Sequence, residues 1–113
     1  MSFKTVVQTS EVPVGTMKRL NTGDQEILVA NVGGSFYAIN NKCPHMGGSL
    51  ADGKLDGSIV HCPRHGSMFD VKTGKNVKGA KIAFVKMKVK DTMCYPVQVS
   101  GTDVLVDIEG GVN

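Results

Sequence analysis

The chain alternates hydrophobic and polar residues in short runs that end at glycine, proline, asparagine or aspartate. A period of two is typical of β-strands with one buried face, and turn residues between such runs are typical of antiparallel connections. The pattern predicts an all-β fold with almost no helix and with hairpin turns at residues 21–24, Gly33-Gly34 and Gly101-Thr102. The predicted strands are Phe3–Ser10, Met17–Leu20, Gln25–Val32, Phe36–Asn40, Ser58–Cys62, Met68–Val71, Lys86–Lys90, Tyr95–Ser100 and Val104–Ile108.

Two short segments of the chain contain four residues of the kinds that bind metals. Cys43-Pro44-His45 is followed by sixteen residues and then by Cys62-Pro63-Arg64-His65. Two thiols and two imidazoles form a complete set of four ligands for one metal centre. Gly47-Gly48, Pro63 and Gly66 lie where the backbone would have to wrap closely around such a centre.

This arrangement resembles the Rieske [2Fe-2S] family. The resemblance runs from the strand around Ile27 to the segment Tyr95-Pro96-Val97. Its core match extends from Cys43 to Gly74 and includes the sequence His-Gly-Ser-x-Phe-Asp, which begins at the last residue of the second pair. Both pairs at this spacing, together with that trailing sequence, are far more specific than an isolated C-x-x-H motif.

The resemblance implies a ligand set in which each iron has its own kind of ligand. Cys43 and Cys62 would bind one iron as thiolates, and His45 and His65 would bind the other iron as neutral imidazoles. Because the imidazoles add no negative charge, an extra electron is easier to add to this mixed-ligand cluster than to a cluster with four thiolates. Rieske centres accordingly have potentials of roughly −150 to +300 mV, against about −400 mV for plant-type ferredoxins.

The resemblance also implies residues that tune the potential. In the family, a serine after His-Gly and a tyrosine two residues later donate hydrogen bonds to sulfur. Ser67 matches the serine, whereas Phe69 replaces the tyrosine. The ligand loops also lack the additional cysteines of high-potential members, so an intermediate-to-low potential is expected. Met46 is predicted to pack around the site and limit access of water, beside Pro63 and Gly66.

Structural zinc is an alternative, since two cysteines and two histidines also suit tetrahedral zinc. The C-x-H spacing of the first pair is shorter than the usual zinc knuckle, which favours the iron–sulfur interpretation. His61 and Cys94 are interpreted as strand residues outside the ligand set.

Length and composition predict a small carrier. The 113 residues, of which 41% are hydrophobic, suffice for one domain. The resemblance implies a single Rieske domain over residues 1–113, in which an antiparallel β base domain carries an inserted cluster-binding subdomain at approximately residues 41–75. The first residues read as a strand and contain no long apolar run, so a cytoplasmic protein without a membrane partner is expected.

Positive charge is concentrated in one segment. Residues 71–90 contain seven lysines and no acidic residue, while the rest of the chain has six basic and ten acidic residues. This segment, Lys72 to Lys90, is either a solvated edge that discourages aggregation or a docking patch for an acidic redox partner. Nucleic-acid binding is not expected, because aromatic residues are not interleaved with the lysines.

No nucleophile–base pair is evident, and all three histidines lie at or beside the metal motif. The chain is therefore predicted to be an electron-transfer protein and not an enzyme. The resemblance implies a soluble one-electron carrier that accepts electrons from a flavoprotein reductase and passes them to a terminal oxygenase. Two alternatives are a small subunit of an assimilatory nitrite reductase and a zinc-stabilised interaction module.

Overall fold

The structure is a computed structural model that describes residues 2–23, 25–43, 48–64, 66–78, 80–82, 85–87 and 90–112, with the backbone alone for 80–82 and 85–87. Within these ranges the chain forms thirteen strands: β1 (Lys4–Gln8), β2 (Met17–Thr22), β3 (Gln25–Val32), β4 (Ser35–Asn40), β5 (Lys54–Asp56), β6 (Ile59–His61), β7 (Met68–Asp70), β8 (Asn76–Lys78), β9 (Ala80–Ile82), β10 (Val85–Met87), β11 (Cys94–Tyr95), β12 (Val97–Ser100) and β13 (Asp103–Val106). Single turns of 3-10 helix cover Thr9–Glu11, Leu50–Asp52 and Ile108–Gly110.

The strands pair antiparallel throughout. One sheet has the order β11-β4-β3-β2, a second has the order β1-β13-β12, and a third has the order β5-β6-β7-β8. Strands β9 and β10 form a separate hairpin. The predicted all-β class is confirmed. No helix in the part of the chain that the structure describes is long and apolar enough to cross a membrane.

Strand β3 is apolar on both faces because it lies between two separate hydrophobic clusters. Ile27 and Val29 belong to a cluster shared with the β1-β13-β12 sheet. Leu28 and Ala30, which point the other way, belong to a cluster that contains both motif cysteines. The sheet that includes β3 therefore forms a central layer, with the predicted metal centre on one side of it.

The predicted hairpin turns at Gly33-Gly34 and Gly101-Thr102 are confirmed. Gly33 and Gly34 have φ values of 62° and 97° and join Val32 directly to its partner Ser35. Two successive residues with positive φ suit glycine, and they match the twist of the two strands that they connect. The predicted turn at residues 21–24 is displaced, because Thr22 still pairs with Gln25 and only residues 23 and 24 connect them.

The prediction of one continuous strand over Tyr95–Ser100 is wrong. Strand β11 ends at Tyr95 and pairs with β4, whereas β12 begins at Val97 and pairs with β13 in another sheet. Pro96 lies at the change of sheet, where its missing N–H removes a donor from the ladder.

Three strands were not predicted, namely β5, β8 and β9. Each has only three residues, too few to establish a period of two, and the polar residues of β5 and β8 do not suggest strand structure. The predicted strand Lys86–Lys90 corresponds to β10, and residues 88 and 89 lie outside the described residues.

Candidate metal centre

The first motif cysteine lies in a loop that closes on itself. Cys43 follows β4 and is 1% exposed. Its backbone N–H donates to the carbonyl oxygen of Gly48 at 2.7 Å, and Lys42 pairs with Ser49 across the neck of the loop. Residues 44–47 are outside the described residues, so the predictions for His45 and Met46 lie there. The loop holds the Cys43 thiol inside the protein and away from bulk water.

The second motif cysteine lies just after β6. Cys62 is 4% exposed, and its backbone N–H donates to the carbonyl oxygen of Ser67 at 2.8 Å. Pro63 and Gly66 are exposed in the intervening turn, and Gly66 has a φ of 75°, which favours glycine. The prediction for His65 also falls outside the described residues. The turn between β6 and β7 thus holds a second buried thiol.

The fold brings these two segments together. Cys43 and Cys62 belong to the same buried cluster, which also contains Phe69 of β7. A Cβ placed on Gly48 would lie 3.4 Å from the Sγ atom of Cys62 and 3.3 Å from the aliphatic part of Arg64. The end of the first loop therefore packs directly against the second, and a side chain at Gly48 would crowd the thiol.

Ser67 links the two segments. Its carbonyl oxygen accepts the hydrogen bond from the Cys62 backbone, and its Oγ atom lies 3.5 Å from the Sγ atom of Cys43. The side chain is 1% exposed, so water does not compete for the hydroxyl. The structure thus places the Ser67 hydroxyl beside a motif sulfur. Phe69 is fully buried, and its side chain, which lacks a hydroxyl, donates no hydrogen bond.

The other two residues considered in the sequence are strand residues. His61 is the last residue of β6 and pairs with Lys54 and Met68. Cys94 lies in β11 and is only partly buried, with its Sγ atom 3.6 Å from the carbonyl oxygen of Lys72. Burial, and to a smaller extent the negative charge of Asp70, raises the pKa of the Cys94 thiol. A protonated thiol is a poor metal ligand.

The residues present suit an iron–sulfur cluster. Two buried cysteines belong to one hydrophobic cluster, and cysteine thiolates are ligands of iron–sulfur clusters. No group of three or more histidine, cysteine, aspartate or glutamate residues converges within the described ranges, which exclude His45 and His65. Among the described residues, the candidate metal ligands are therefore the two thiols, with the Ser67 hydroxyl beside one of them.

Asn41 belongs to no recognisable sequence motif and was not predicted as a site residue, yet it is a fully buried polar residue at the base of the first loop. Its side chain contacts Glu26, Ser49 and Ala51. The only signal in the sequence is its position between a strand and a predicted ligand.

Comparison with known proteins identifies the family. The family model of the Rieske [2Fe-2S] domain matches residues 2–87, which is well over half of the chain. The chain belongs to the Rieske [2Fe-2S] family. A [2Fe-2S] cluster is therefore its cofactor, in preference to structural zinc.

Relatives of known function are carriers of the same size. The chain is 37% identical over 112 residues to the ferredoxin component of biphenyl 2,3-dioxygenase from Rhodococcus jostii strain RHA1, covering 99% of this chain and 98% of the relative. It is 38% identical over 100 residues to the 3-phenylpropionate/cinnamic acid dioxygenase ferredoxin subunit from Escherichia coli K12, covering 88% of this chain and 87% of the relative. These relatives are electron carriers and not catalytic enzymes.

Solved structures of ferredoxins align with nearly the whole chain. A chain in a complex of reduced oxygenase and oxidized ferredoxin in carbazole 1,9a-dioxygenase aligns with a TM-score of 0.80 at 30% identity, covering 98% of this chain and 97% of that one. The ferredoxin of Sphingomonas yanoikuyae B1 aligns with a TM-score of 0.75 at 29% identity, covering 94% and 98%. The predicted Rieske-type fold and the carrier class are confirmed.

Proposed function

We propose that this Rieske protein is the ferredoxin component of an oxygenase system that acts on an aromatic compound. It accepts single electrons from a flavoprotein reductase and delivers them to the terminal oxygenase. The match along the full length of the biphenyl 2,3-dioxygenase ferredoxin component carries this proposal. Thiolate ligands are best preserved in a reducing compartment, so the cytoplasm is the proposed location.

The proposed ligands are Cys43 and Cys62 for one iron and His45 and His65 for the other. Burial of both thiols, the contact between the two loops and the chemistry of iron–sulfur ligands support the cysteine assignments. The histidine assignments rest on the motif. We place the cluster-binding subdomain at approximately residues 41–75 of a single domain spanning 1–113.

The bound cluster supplies reversible one-electron chemistry. The chain supplies its surroundings. Phe69 and Leu50, both fully buried, exclude water from the cysteine side of the site. The Ser67 hydroxyl is positioned to donate a hydrogen bond to the Cys43 sulfur, which withdraws negative charge from it. Short backbone hydrogen bonds at Cys43 and Cys62 hold both sulfurs in place between oxidation states.

Replacing Ser67 with alanine should lower the midpoint potential. The Ala variant removes the donor beside the Cys43 sulfur and leaves more negative charge there, which disfavours reduction. The Ser67→Thr variant keeps a hydroxyl and serves as a control. Redox titration followed by visible circular dichroism measures the midpoint of each. A midpoint in Ser67→Ala equal to that of the parent protein would mean that the hydroxyl only stabilises the turn.

We further propose that the partners dock beside the basic segment. Its lysines at 72, 75, 78 and 90 are exposed. Lys78 belongs to β8, the edge strand of the same sheet that supplies the second ligand loop. Exposed charge of one sign steers an oppositely charged partner and speeds the encounter without fixing the final complex.

The double variant Lys72→Glu/Lys75→Glu should slow electron delivery by about tenfold at low ionic strength, within the range typical of electrostatic steering. The control, Lys4→Glu/Arg19→Glu, makes the same change in net charge on exposed residues of β1 and β2. The measurement is stopped-flow oxidation of the reduced protein by the oxygenase component of biphenyl 2,3-dioxygenase. Equal rates for both variants would show that the basic segment makes no specific contribution to docking. If the oxygenase did not oxidise the parent protein, that result would count against the proposed oxygenase partner.

A further inference from the structure

Asn41 occupies the junction between the central sheet and the first ligand loop. It follows the last residue of β4 and precedes the segment that contains Cys43. Its side chain is 0% exposed although it is polar, so each of its hydrogen-bonding groups needs a partner within the protein. The structure supplies those partners from two different parts of the chain.

One set of contacts joins Asn41 to the sheet. Its backbone N–H donates to the carbonyl oxygen of Glu26 at 2.9 Å, and its Nδ2 atom donates to the Oε1 atom of Glu26 at 2.6 Å. Glu26 belongs to β3, and that strand pairs with β2 and β4 and not with either ligand loop. The second of these bonds is assisted by the carboxylate charge and is therefore the stronger kind.

The other set of contacts closes the loop. The Nδ2 atom of Asn41 also donates to the Oγ atom of Ser49 at 2.8 Å, and the Oδ1 atom accepts from the backbone N–H of Ala51 at 2.8 Å. The Asn41 carbonyl oxygen accepts from the N–H of Leu50 at 2.8 Å. One residue thus ties the start of the loop to its end and ties both to the sheet.

The chemistry of the partners fixes the orientation of the amide. A backbone N–H can only donate, so the atom facing Ala51 must be the oxygen. A carboxylate can only accept, so the atom facing Glu26 must be the nitrogen. A residue of the same shape without the two amide hydrogens cannot satisfy this site. Aspartate is such a residue, and it would place a second negative charge against Glu26.

We infer that Asn41 is a positioning residue, which sets the geometry of the first ligand loop against the sheet and through it the redox and spectroscopic properties of the cluster. This inference rests on the proposed placement of the ligands Cys43 and His45 in that loop. A loop that is free to shift relative to the second loop would change the angle at which its ligands approach the metal. Asn41 removes that freedom through contacts at both ends of the loop.

The test exchanges the donor and the acceptor of the side-chain hydrogen bond between Asn41 and Glu26. In Asn41→Asp the bond to Glu26 is lost and two carboxylates face each other. In Glu26→Gln the amide of Asn41 still finds an acceptor. In the double variant Asn41→Asp/Glu26→Gln, the glutamine amide donates to the new carboxylate, and the net charge equals that of the parent protein. Lys42→Gln is the charge control, because it makes the same change of −1 as Asn41→Asp at the neighbouring exposed side chain.

The readouts are the EPR spectrum of the reduced protein, the midpoint potential and the rate of cluster loss to an iron chelator. We expect Asn41→Asp to broaden the EPR lines, to shift the midpoint beyond the shift in Lys42→Gln, and to lose its cluster about tenfold faster, the ratio that corresponds to one charge-assisted hydrogen bond. We expect the double variant to resemble the parent protein in all three, and Glu26→Gln to keep the parent EPR spectrum and rate of cluster loss, with a midpoint shift no larger than that in Lys42→Gln and opposite in sign.

Two outcomes would overturn the inference. One is an Asn41→Asp variant whose loaded fraction has the parent EPR spectrum and the midpoint of Lys42→Gln, which would make the residue merely structural. The other is a double variant that does not recover, including the case in which Asn41→Asp fails to load at all. If the parent protein itself lacked a Rieske EPR signal, the proposed function would fail instead.

Discussion

Replacing Cys62 with alanine should give a colourless protein that holds no [2Fe-2S] cluster. Cys62 is one of the two buried thiols that meet in the site, and its loss leaves an iron without half of its protein ligands. The same result is expected for Cys43→Ala. Iron and sulfide analysis, together with the visible spectrum, measures the loss directly.

Cys94→Ala provides the matched control, because the chain contains three cysteines in all. Cys94 lies in β11, and its sulfur is 3.6 Å from the carbonyl oxygen of Lys72. This variant should keep the full cluster content and lose about 1 kcal/mol of stability, as expected when a small, partly buried side chain is shortened. Loss of the cluster in Cys94→Ala, or its retention in Cys62→Ala, would contradict the proposed ligand set.

The loss of the cluster should also lower the free energy of unfolding. A cofactor that binds only the folded chain stabilises it, so removal of a ligand removes that contribution. Thermal unfolding of Cys62→Ala should therefore begin at a lower temperature than that of Cys94→Ala. Equal unfolding temperatures would mean that the cysteine loops fold independently of the cluster.

Replacing Gly53 with alanine should prevent the second ligand loop from forming correctly. A Cβ at this position would fall inside the van der Waals contact distance of the His61 carbonyl oxygen. The clash cannot be relieved by turning a flexible side chain, because the contacted oxygen belongs to the backbone. His61 directly precedes Cys62, so a shift of this backbone would also move the cysteine. Either β5 separates from β6, or the segment that carries Cys62 moves. We expect a cost of about 3 kcal/mol, at the upper end for overpacking, and a large fall in cluster content.

Gly57→Ala is the matched control in the same hairpin. Gly57 has a φ of 62°, but a Cβ there would meet no atom within 4 Å. The cost is then limited to the left-handed backbone conformation, about 1 kcal/mol, and the cluster should be retained. Chemical denaturation and iron content are measured for both variants. If Gly53→Ala were no more harmful than Gly57→Ala, the close approach to His61 would not constrain the site.

The sequence was sufficient to predict the all-β class and the meeting of the two cysteine segments. The alternation of hydrophobic and polar residues predicted most strands, and the spacing of the motif indicated which loops carry the candidate ligands. The apolar run in β3 predicted a strand, but the assignment of Ile27 and Leu28 to different hydrophobic clusters depends on the layers on either side of it. That arrangement is a property of the tertiary structure and leaves no local pattern.

Other features of the fold escaped prediction for related physical reasons. Tyr95 and Val97 both favour strands, and only the pairing partners reveal that the chain changes sheet at Pro96. Asn41 and Gly53 act through long-range contacts, with Glu26 and His61 respectively. An asparagine or a glycine before or after a loop is ordinarily read as a turn residue, so neither contact could be recognised from local sequence.

An EPR-monitored redox titration of the purified protein near neutral pH tests most directly whether the chain is a Rieske electron carrier. We expect a rhombic signal on reduction, with an average g value below that of the free electron. We also expect an intermediate-to-low midpoint, because Ser67 is present while Phe69 lacks the second donor. A protein replete with metal that gave no such signal, or that contained zinc in place of iron, would contradict the assignment of this chain as a Rieske electron carrier.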